Sequence, residues 1–159
     1  MGCDIHMYTE ILRDPLGDSF WEFLPPPVDW YEQIYMKRCI PPDISDCKRF
    51  ESWSVADEEE IYLRKWNLRR DYNLFAALAN VRSGRERPSR DPRGVPHDSC
   101  CEIKTESEEV DWHSHSHWML EAMRAITAEC GSNDLKRMLR AVHSIDPSSY
   151  VRFVFWFDN

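Results

Sequence analysis

The stretch at residues 150–158, YVRFVFWFD, decides the fold. In an extended chain successive side chains point to opposite faces, so Phe153 and Phe155 share one face while Val154 and Trp156 lie on the other. A strand that is apolar on both faces is typical of the middle of a sheet, where both sides are covered. The sequence therefore predicts a central β-strand here.

A second strand is predicted near the start of the sequence, where apolar and polar residues alternate from Cys3 to Leu12. This period is typical of a half-buried strand and places Asp4 and His6 on one face. Turn residues at 14–18 and an aromatic stretch at 19–24 extend the strand into a hairpin. If this strand pairs with the C-terminal one, Asp158 comes close to Asp4 and His6.

Four segments carry helical patterns. The clearest follows Asp71, which can cap it, and its apolar residues form one stripe that ends before Gly84. Residues 57–66 predict a short helix, because acidic residues fill its first turn. Two further helices, separated by a Gly-Ser pair that suits a C-cap and an N-cap, are predicted over Met119–Cys130 and Asn133–His143.

Together these elements predict an α+β fold in a single domain over residues 1–159. A small, mostly antiparallel sheet has the N- and C-terminal strands in its centre and is packed by three to four helices. Residues 25–66 are predicted to be an ordered insertion, because Trp, Tyr and Pro occur there without a clear period. Residues 82–98 are predicted to be an Arg- and Pro-rich loop. A loop of this length is often functional, the alternative being that it simply faces solvent.

Composition disfavours several classes of protein. Of the 159 residues, 42% are hydrophobic and 13% aromatic, which is enough for a packed core. The net charge of -8 disfavours binding to a long nucleic acid, whose affinity comes from neutralised phosphates. No stretch approaches the about 18 apolar residues of a membrane span, so no membrane partner is expected. The six Cys include no C-x-x-C pair, so we expect reduced thiols and a cytoplasmic location.

The strongest local signal for chemistry is the run Asp111-Trp112-His113-Ser114-His115. In a regular extended segment, His113 and His115 point to the same side and could offer two imidazoles to a divalent ion. Asp4 and His6 add an oxygen and a nitrogen from another strand. The sequence thus predicts a zinc or manganese site with Asp4, His6, His113 and His115 as ligands. The alternative is that these His residues cap the following helix or line a polar surface.

Five short motifs occur in order along nearly the whole chain: MGCDIH at 1–6, RDYNLF at 70–75, PRGVP at 92–96, DWHSHS at 111–116 and VRFVFWFDN at 151–159. Together they resemble a family of small, largely uncharacterised proteins encoded mostly in bacteriophage genomes. The resemblance implies a protein made in the host cytoplasm during infection, and it supplies no reaction. Members of that family usually carry an aromatic residue at the position of His117, so we assign no ligand role to this residue.

The motif positions hold further groups suited to catalysis. Asp111 and Asp158 are predicted to orient a ligand or to shuttle a proton. Arg93 and Arg70 are suited to bidentate contact with a phosphate, and Arg93 would neutralise charge that builds on phosphoryl oxygens. The alternative for Arg93 is an ion pair with a buried acid that holds its loop. Tyr72 is predicted to stack on a base of the substrate.

Two functions from different classes follow. The first is a metal-dependent hydrolase, a phosphodiesterase that acts on a nucleotide or another small phosphorylated substrate with a hydroxide generated on the metal. The second is a non-enzymatic phage accessory or anti-defence protein that binds a host protein or sequesters a signalling nucleotide. Both imply a small anionic ligand or a host protein as partner, and both leave a homo-oligomer open.

Overall fold

The computed structural model describes residues 3–14, 16–27, 30, 65–81, 90–108, 111–147 and 150–158. Within these residues four strands form one antiparallel sheet in the order β2-β1-β4-β3. The strands are β1 (Ile5–Arg13), β2 (Phe20–Phe23), β3 (His113–Met119) and β4 (Val151–Phe157). The helices are α1 (Tyr72–Ala79), α2 (Cys101–Glu106), α3 (Leu120–Cys130) and α4 (Asn133–Ile145). The predicted α+β single-domain fold is confirmed.

Strand β4 occupies the centre of the sheet, as its apolar pattern predicts. All seven of its residues are buried, and it pairs antiparallel with β1 on one side and β3 on the other. The register places Ile5 opposite Phe157 and Ile11 opposite Val151. Consequently the start of β1 lies beside the end of β4.

Three of the four described helices begin or end at residues whose chemistry explains the boundary. Asp71 caps α1, because its Oδ1 accepts the backbone N–H groups of Asn73 and Leu74 at 2.9 and 3.3 Å. Gly131 ends α3 with a φ of 70°, a left-handed conformation that glycine adopts without strain. Ser132 then caps α4 by accepting a backbone N–H of its first turn. These boundaries are predictable from sequence, because each depends on the residue type at one position.

The sequence pattern does not predict helix α2. It has six residues, too few to show an apolar stripe, and its N-cap residue Cys100 makes no side-chain capping hydrogen bond. Ile103 alone among its residues is buried, at 0% exposure. The helix is therefore fixed by the surface it covers rather than by its own sequence.

The larger core lies on the face of the sheet that α1, α3 and α4 cover, here called the helix face. Side chains of β1 and β4 such as Met7, Phe153 and Phe155 point into it. They pack against apolar residues of all three helices, including Leu78 of α1 and Met123 of α3. Burial of large apolar side chains of this kind is the main source of stability in a domain.

The opposite face, here called the second face, holds a smaller core. Tyr8 and Trp156 pack there with Cys100 and with Ile103 of α2. The expectation that β1 is buried on one face only is therefore wrong. Tyr8 and Glu10 are 1% and 0% exposed, because α2 and the segment before it cover this face.

Two predicted segments lie mainly outside the described residues. Of the predicted insertion at 25–66, only residues 25–27, 30, 65 and 66 are described, so the helix predicted at 57–66 is not tested. Of the basic loop, residues 90–98 are described and contain no helix or strand. None of the helices in the described ranges is long and apolar enough to cross a membrane.

Candidate functional site

The start of β1 and the end of β4 bring three side chains with acid–base chemistry to one edge of the sheet. The Asp158 carboxylate accepts the backbone N–H of Asp4 on Oδ1 at 2.6 Å. Its Oδ2 lies 3.1 Å from Nε2 of His6. In return the Asp158 N–H donates to the Asp4 carbonyl at 3.2 Å. The predicted approach of Asp158 to Asp4 and His6 is confirmed.

His6 has a partner on each ring nitrogen. Besides Asp158 on Nε2, Nζ of Lys65 lies 3.2 Å from Nδ1. An ionised carboxylate only accepts hydrogen bonds, so Nε2 carries the proton and Nδ1 accepts from Lys65. The result is a hydrogen-bonded chain from Lys65 through His6 to Asp158. These three residues and Asp4 are called the His6 cluster below.

Burial and charge together set the protonation of the His6 cluster. Burial lowers the pKa of His6, the Lys65 ammonium lowers it further, and the opposing effect of Asp158 is smaller. Burial also lowers the pKa of Lys65, against the neighbouring carboxylates. Burial by itself would raise the pKa of Asp158, but hydrogen bonds from His6 and from the Asp4 N–H outweigh it and lower this pKa. Near pH 7 the structure therefore favours a neutral His6 beside an ionised Asp158.

Aromatic rings enclose His6 on the second face. The Trp112 ring centroid lies 4.9 Å from that of His6, and the Trp156 ring lies 6.4 Å away in a stacked orientation. Trp112 also stacks on Trp156 at 5.0 Å. These contacts leave His6 9% exposed, so the imidazole sits at the border between the core and solvent.

Arg70 joins the same edge through Asp4. Its Nε and Nη2 both lie within 3 Å of Oδ1 of Asp4, at 2.9 and 2.8 Å. The side chain of Arg70 is 46% exposed, so much of the guanidinium faces solvent. Tyr72 follows at the start of α1, is 45% exposed and contacts Phe75 edge to face. Arg70 and Tyr72, both predicted to bind substrate, are therefore accessible.

The expectation that His113 and His115 point to the same side is wrong. A bulge in β3 pairs His113 with Phe157 and Ser116 with Phe155, which leaves one extra residue between them. Ser114 has a φ of 54° and absorbs this irregularity. Because the bulge shifts the alternation by one residue, His113 stacks on Phe157 while His115 lies against Trp156 on the second face.

His115 therefore shares a face with His6, whereas His113 does not. Nε2 of His115 lies 3.1 Å from the Ser107 carbonyl, which occupies one ring nitrogen. Burial lowers the pKa of His115, and the Ser107 carbonyl opposes this shift. Across the described part of the chain, no three or more His, Cys, Asp or Glu side chains are grouped so as to hold a metal ion. The predicted zinc or manganese site stays a prediction.

Arg93 and Asp111 are the remaining residues predicted from the motifs. The Arg93 guanidinium lies 3.8 Å from the ring centroid of Trp118, which pairs with Phe153 and belongs to the core of the helix face. Among the described residues, no acidic side chain forms an ion pair with the Arg93 guanidinium. Asp111 is exposed.

Lys65 is the member of the His6 cluster that sequence reasoning missed. It precedes Trp66, whose backbone N–H donates to the Met7 carbonyl at 2.7 Å, and this single bridge places Lys65 beside β1. An isolated lysine in a segment without a clear period carries no local signal of such a contact. Only the pairing of Trp66 with β1 reveals it.

The chain matches no protein-family model, no curated protein and no solved structure. The resemblance to phage-encoded proteins therefore stays a prediction.

Proposed function

We propose that the chain is a hydrolase of a small phosphorylated substrate and that the reaction takes place at the His6 cluster. The observation that carries the proposal is the hydrogen-bonded chain in which Asp158 holds Nε2 of His6 and Lys65 contacts Nδ1. A base oriented by a carboxylate and in contact with a third polar group is the recurring arrangement of acid–base catalysis.

The hydrogen-bonded chain suits the proton transfers of ester hydrolysis. When water attacks phosphorus, one proton leaves the water and the leaving oxygen gains one. A neutral His6 can take up the proton of the attacking water through Lys65 and return it by the same route to the leaving oxygen, and the Asp158 carboxylate stabilises the imidazolium in between. Both ring nitrogens of His6 are occupied, and Lys65 is partly exposed. Lys65 is therefore the member of this hydrogen-bonded chain that can meet water or substrate.

The guanidinium of Arg70 favours binding of a phosphorylated substrate over binding of a neutral one. Two of its N–H groups bond Asp4, and the half-exposed guanidinium has further donors for phosphate oxygens. The ion pair with Asp4 also fixes the position of the guanidinium. Arg93 is not assigned to this site, because its guanidinium lies against Trp118.

The proposed acid–base steps do not depend on the predicted metal ion. Asp4 and His6 offer a carboxylate and an imidazole, both common zinc ligands, at the same edge. The other two predicted ligands, His113 and His115, point to opposite faces of β3. We therefore assign the acid–base steps to the residues of the His6 cluster themselves.

A second function is favoured by one observation, the 9% exposure of His6 beneath Trp112. An enclosed imidazole suits a protein that binds a phosphorylated ligand without turning it over. This is the non-enzymatic alternative, in which a signalling nucleotide is sequestered. This alternative requires that the wild-type protein binds a nucleotide and forms no product from it.

The test is hydrolysis of bis(4-nitrophenyl) phosphate and of a panel of nucleotides by the wild type, Asp158→Asn and Asp18→Asn. Asn retains an acceptor for the Asp4 N–H, so Asp158→Asn keeps the strand ends together. Asp18 is exposed on the β1–β2 hairpin and controls for the loss of one charge.

We expect turnover by the wild type, a loss of about 100-fold or more in Asp158→Asn, and no change in Asp18→Asn. Wild-type protein that converts none of these substrates, or equal rates in Asp158→Asn, would contradict the proposal. Tight binding of a nucleotide without product would support the non-enzymatic function instead.

A further inference from the structure

A cleft that shares no lining residue with the His6 cluster lies where β2 meets the segment before α2. Its volume is about 470 Å³. Two of its walls are aromatic, Phe20 at 58% exposure and the partly exposed Trp21. The remaining lining residues are Leu12, Ser19, Asp98 and Ser99. The cleft thus combines apolar walls with one ionisable group, Asp98.

The Asp98 carboxylate is held in a fixed position at this cleft. Its Oδ1 accepts from Nη1 of Arg152 at 2.9 Å, and its Oδ2 accepts from the indole N–H of Trp21 at 3.0 Å. Partial burial opposes ionisation of Asp98, but these hydrogen bonds outweigh it and lower its pKa. The side chain remains 48% exposed, so an ionised and oriented carboxylate faces the cleft.

A second carboxylate, Glu10, binds the same Arg152 guanidinium through a different N–H group. Glu10 is 0% exposed, and its Oε1 accepts from Nε of Arg152 at 2.5 Å. Arg152 is therefore shared between two carboxylates, Glu10 and Asp98. Among the described residues this network holds two negative charges and one positive charge. A cation in the cleft would balance the charges.

Arg152 also shows how such a cation can be held. Its guanidinium carbon lies 3.9 Å from the ring centroid of Trp21 while Nη1 donates to Asp98. A planar cation is thus already bound by one aromatic face and one carboxylate. Cation–π contact and a charge-assisted hydrogen bond are the interactions that recognise guanidinium groups.

We propose that this cleft binds an alkylguanidinium group, with Asp98 as the charged partner and Phe20 and Trp21 as the aromatic walls. The group can come from a free small molecule or from an arginine side chain of a partner protein. Neither source involves the His6 cluster, so this proposal stands apart from the proposed hydrolase.

The test is an NMR titration of the full chain, following the indole N–H signal of Trp21 and the amide signal of Ser99. The probes are ethylguanidinium, its neutral analogue ethylurea, and the tripeptide Gly-Arg-Gly. Asp98→Asn removes the charge and keeps an acceptor for Arg152. Glu121→Gln, exposed at the start of α3, removes one charge away from the cleft.

We expect saturable shifts with ethylguanidinium, affinity at least tenfold weaker in Asp98→Asn, unchanged affinity in Glu121→Gln and no saturation with ethylurea. Tighter binding of the tripeptide than of ethylguanidinium identifies a protein as the source, and weaker binding identifies a small molecule. Equal shifts with ethylurea, or the same affinity in Asp98→Asn, would overturn the proposal. The ethylurea comparison needs only the wild type, so it decides the matter even if the variant folds poorly.

Discussion

Nε2 of His6 lies 3.1 Å from Oδ2 of Asp158, although 152 residues separate the two in the sequence. The contact follows from the antiparallel pairing of β1 with β4, which places Ile5 opposite Phe157. The two central strands of the sheet therefore build the candidate site at the point where they meet. A change in the register of this pairing would separate His6 from Asp158.

The buried pair of Arg152 and Glu10 predicts a large loss of stability when one partner is removed. Arg152→Met leaves the Glu10 carboxylate, 0% exposed, without its guanidinium. We expect the free energy of unfolding to fall by about 3–5 kcal/mol in urea denaturation. Arg140→Met, at an exposed position of α4, is the control and should change it by less than about 0.5 kcal/mol.

The double variant Glu10→Gln/Arg152→Met tests the reason for that loss. The amide oxygen of Gln can still accept the Cys100 N–H, its NH2 group can donate to Oγ of Ser99, and the unpaired charge is removed. The double variant should therefore be more stable than Arg152→Met alone. A single Arg152→Met variant no less stable than Arg140→Met would contradict the structural role assigned to the pair.

Stability should fall as the pH falls below about 6.5, the pKa of an unfolded histidine. Because burial lowers the pKa of His6 and His115 in the folded protein, the unfolded chain binds protons first. The contribution is present in full above this pH and is lost as the pH falls toward the folded pKa values. Asp158, whose folded pKa is lowered, adds a further loss below about pH 3.9.

The measurement is the urea midpoint between pH 8 and pH 5. His6→Gln/His115→Gln should flatten the decline, whereas His143→Gln, at an exposed position of α4, should leave it unchanged. If the double variant and the wild type lose stability in parallel, the burial of these two imidazoles does not govern the pH dependence.

Ser114 should tolerate glycine better than a branched side chain. Its φ of 54° lies in the left-handed region, where glycine is unstrained and a β-branched residue is strained. We expect Ser114→Gly to change the free energy of unfolding by less than about 1 kcal/mol and Ser114→Val to lower it by about 1–3 kcal/mol. Equal midpoints for the two variants in urea would be evidence against the bulge.

The same bulge predicts which histidines can share a metal ion. His113 stacks on Phe157, away from the face on which His6 lies. A zinc ion bound by His6 would have to displace Lys65 or Asp158 from one ring nitrogen. If zinc binds in this way, zinc titrations of untagged protein should show weaker binding in His6→Asn and unchanged binding in His113→Asn. Weaker binding in His113→Asn would restore the ligand set predicted from the sequence. Failure of the wild type to bind zinc would refute the zinc prediction altogether.

The sequence predicts the parts of the fold that depend on local pattern. The alternation at residues 151–157 indicates a central strand, and the side chains of Asp71 and Ser132 mark two helix starts. The approach of Asp158 to His6 also follows, because it needs only the pairing of the two outer segments of the chain.

The rest depends on contacts that no local pattern records. A strict two-residue period predicts His113 and His115 on one side, and the extra residue at Ser114 reverses this. Lys65 reaches His6 through a single bridge between Trp66 and Met7. Such a bridge is tertiary, so neither composition nor spacing could indicate it.

The rate of phosphodiester hydrolysis by the wild type and by His6→Asn tests the proposed reaction at the His6 cluster most directly. His143→Asn, exposed on α4, is the matched control, and thermal unfolding confirms that all three proteins are folded. We predict a loss of about 100-fold or more in His6→Asn alone. Equal rates in folded wild type and folded His6→Asn, or a wild type that hydrolyses no phosphodiester, would contradict the account.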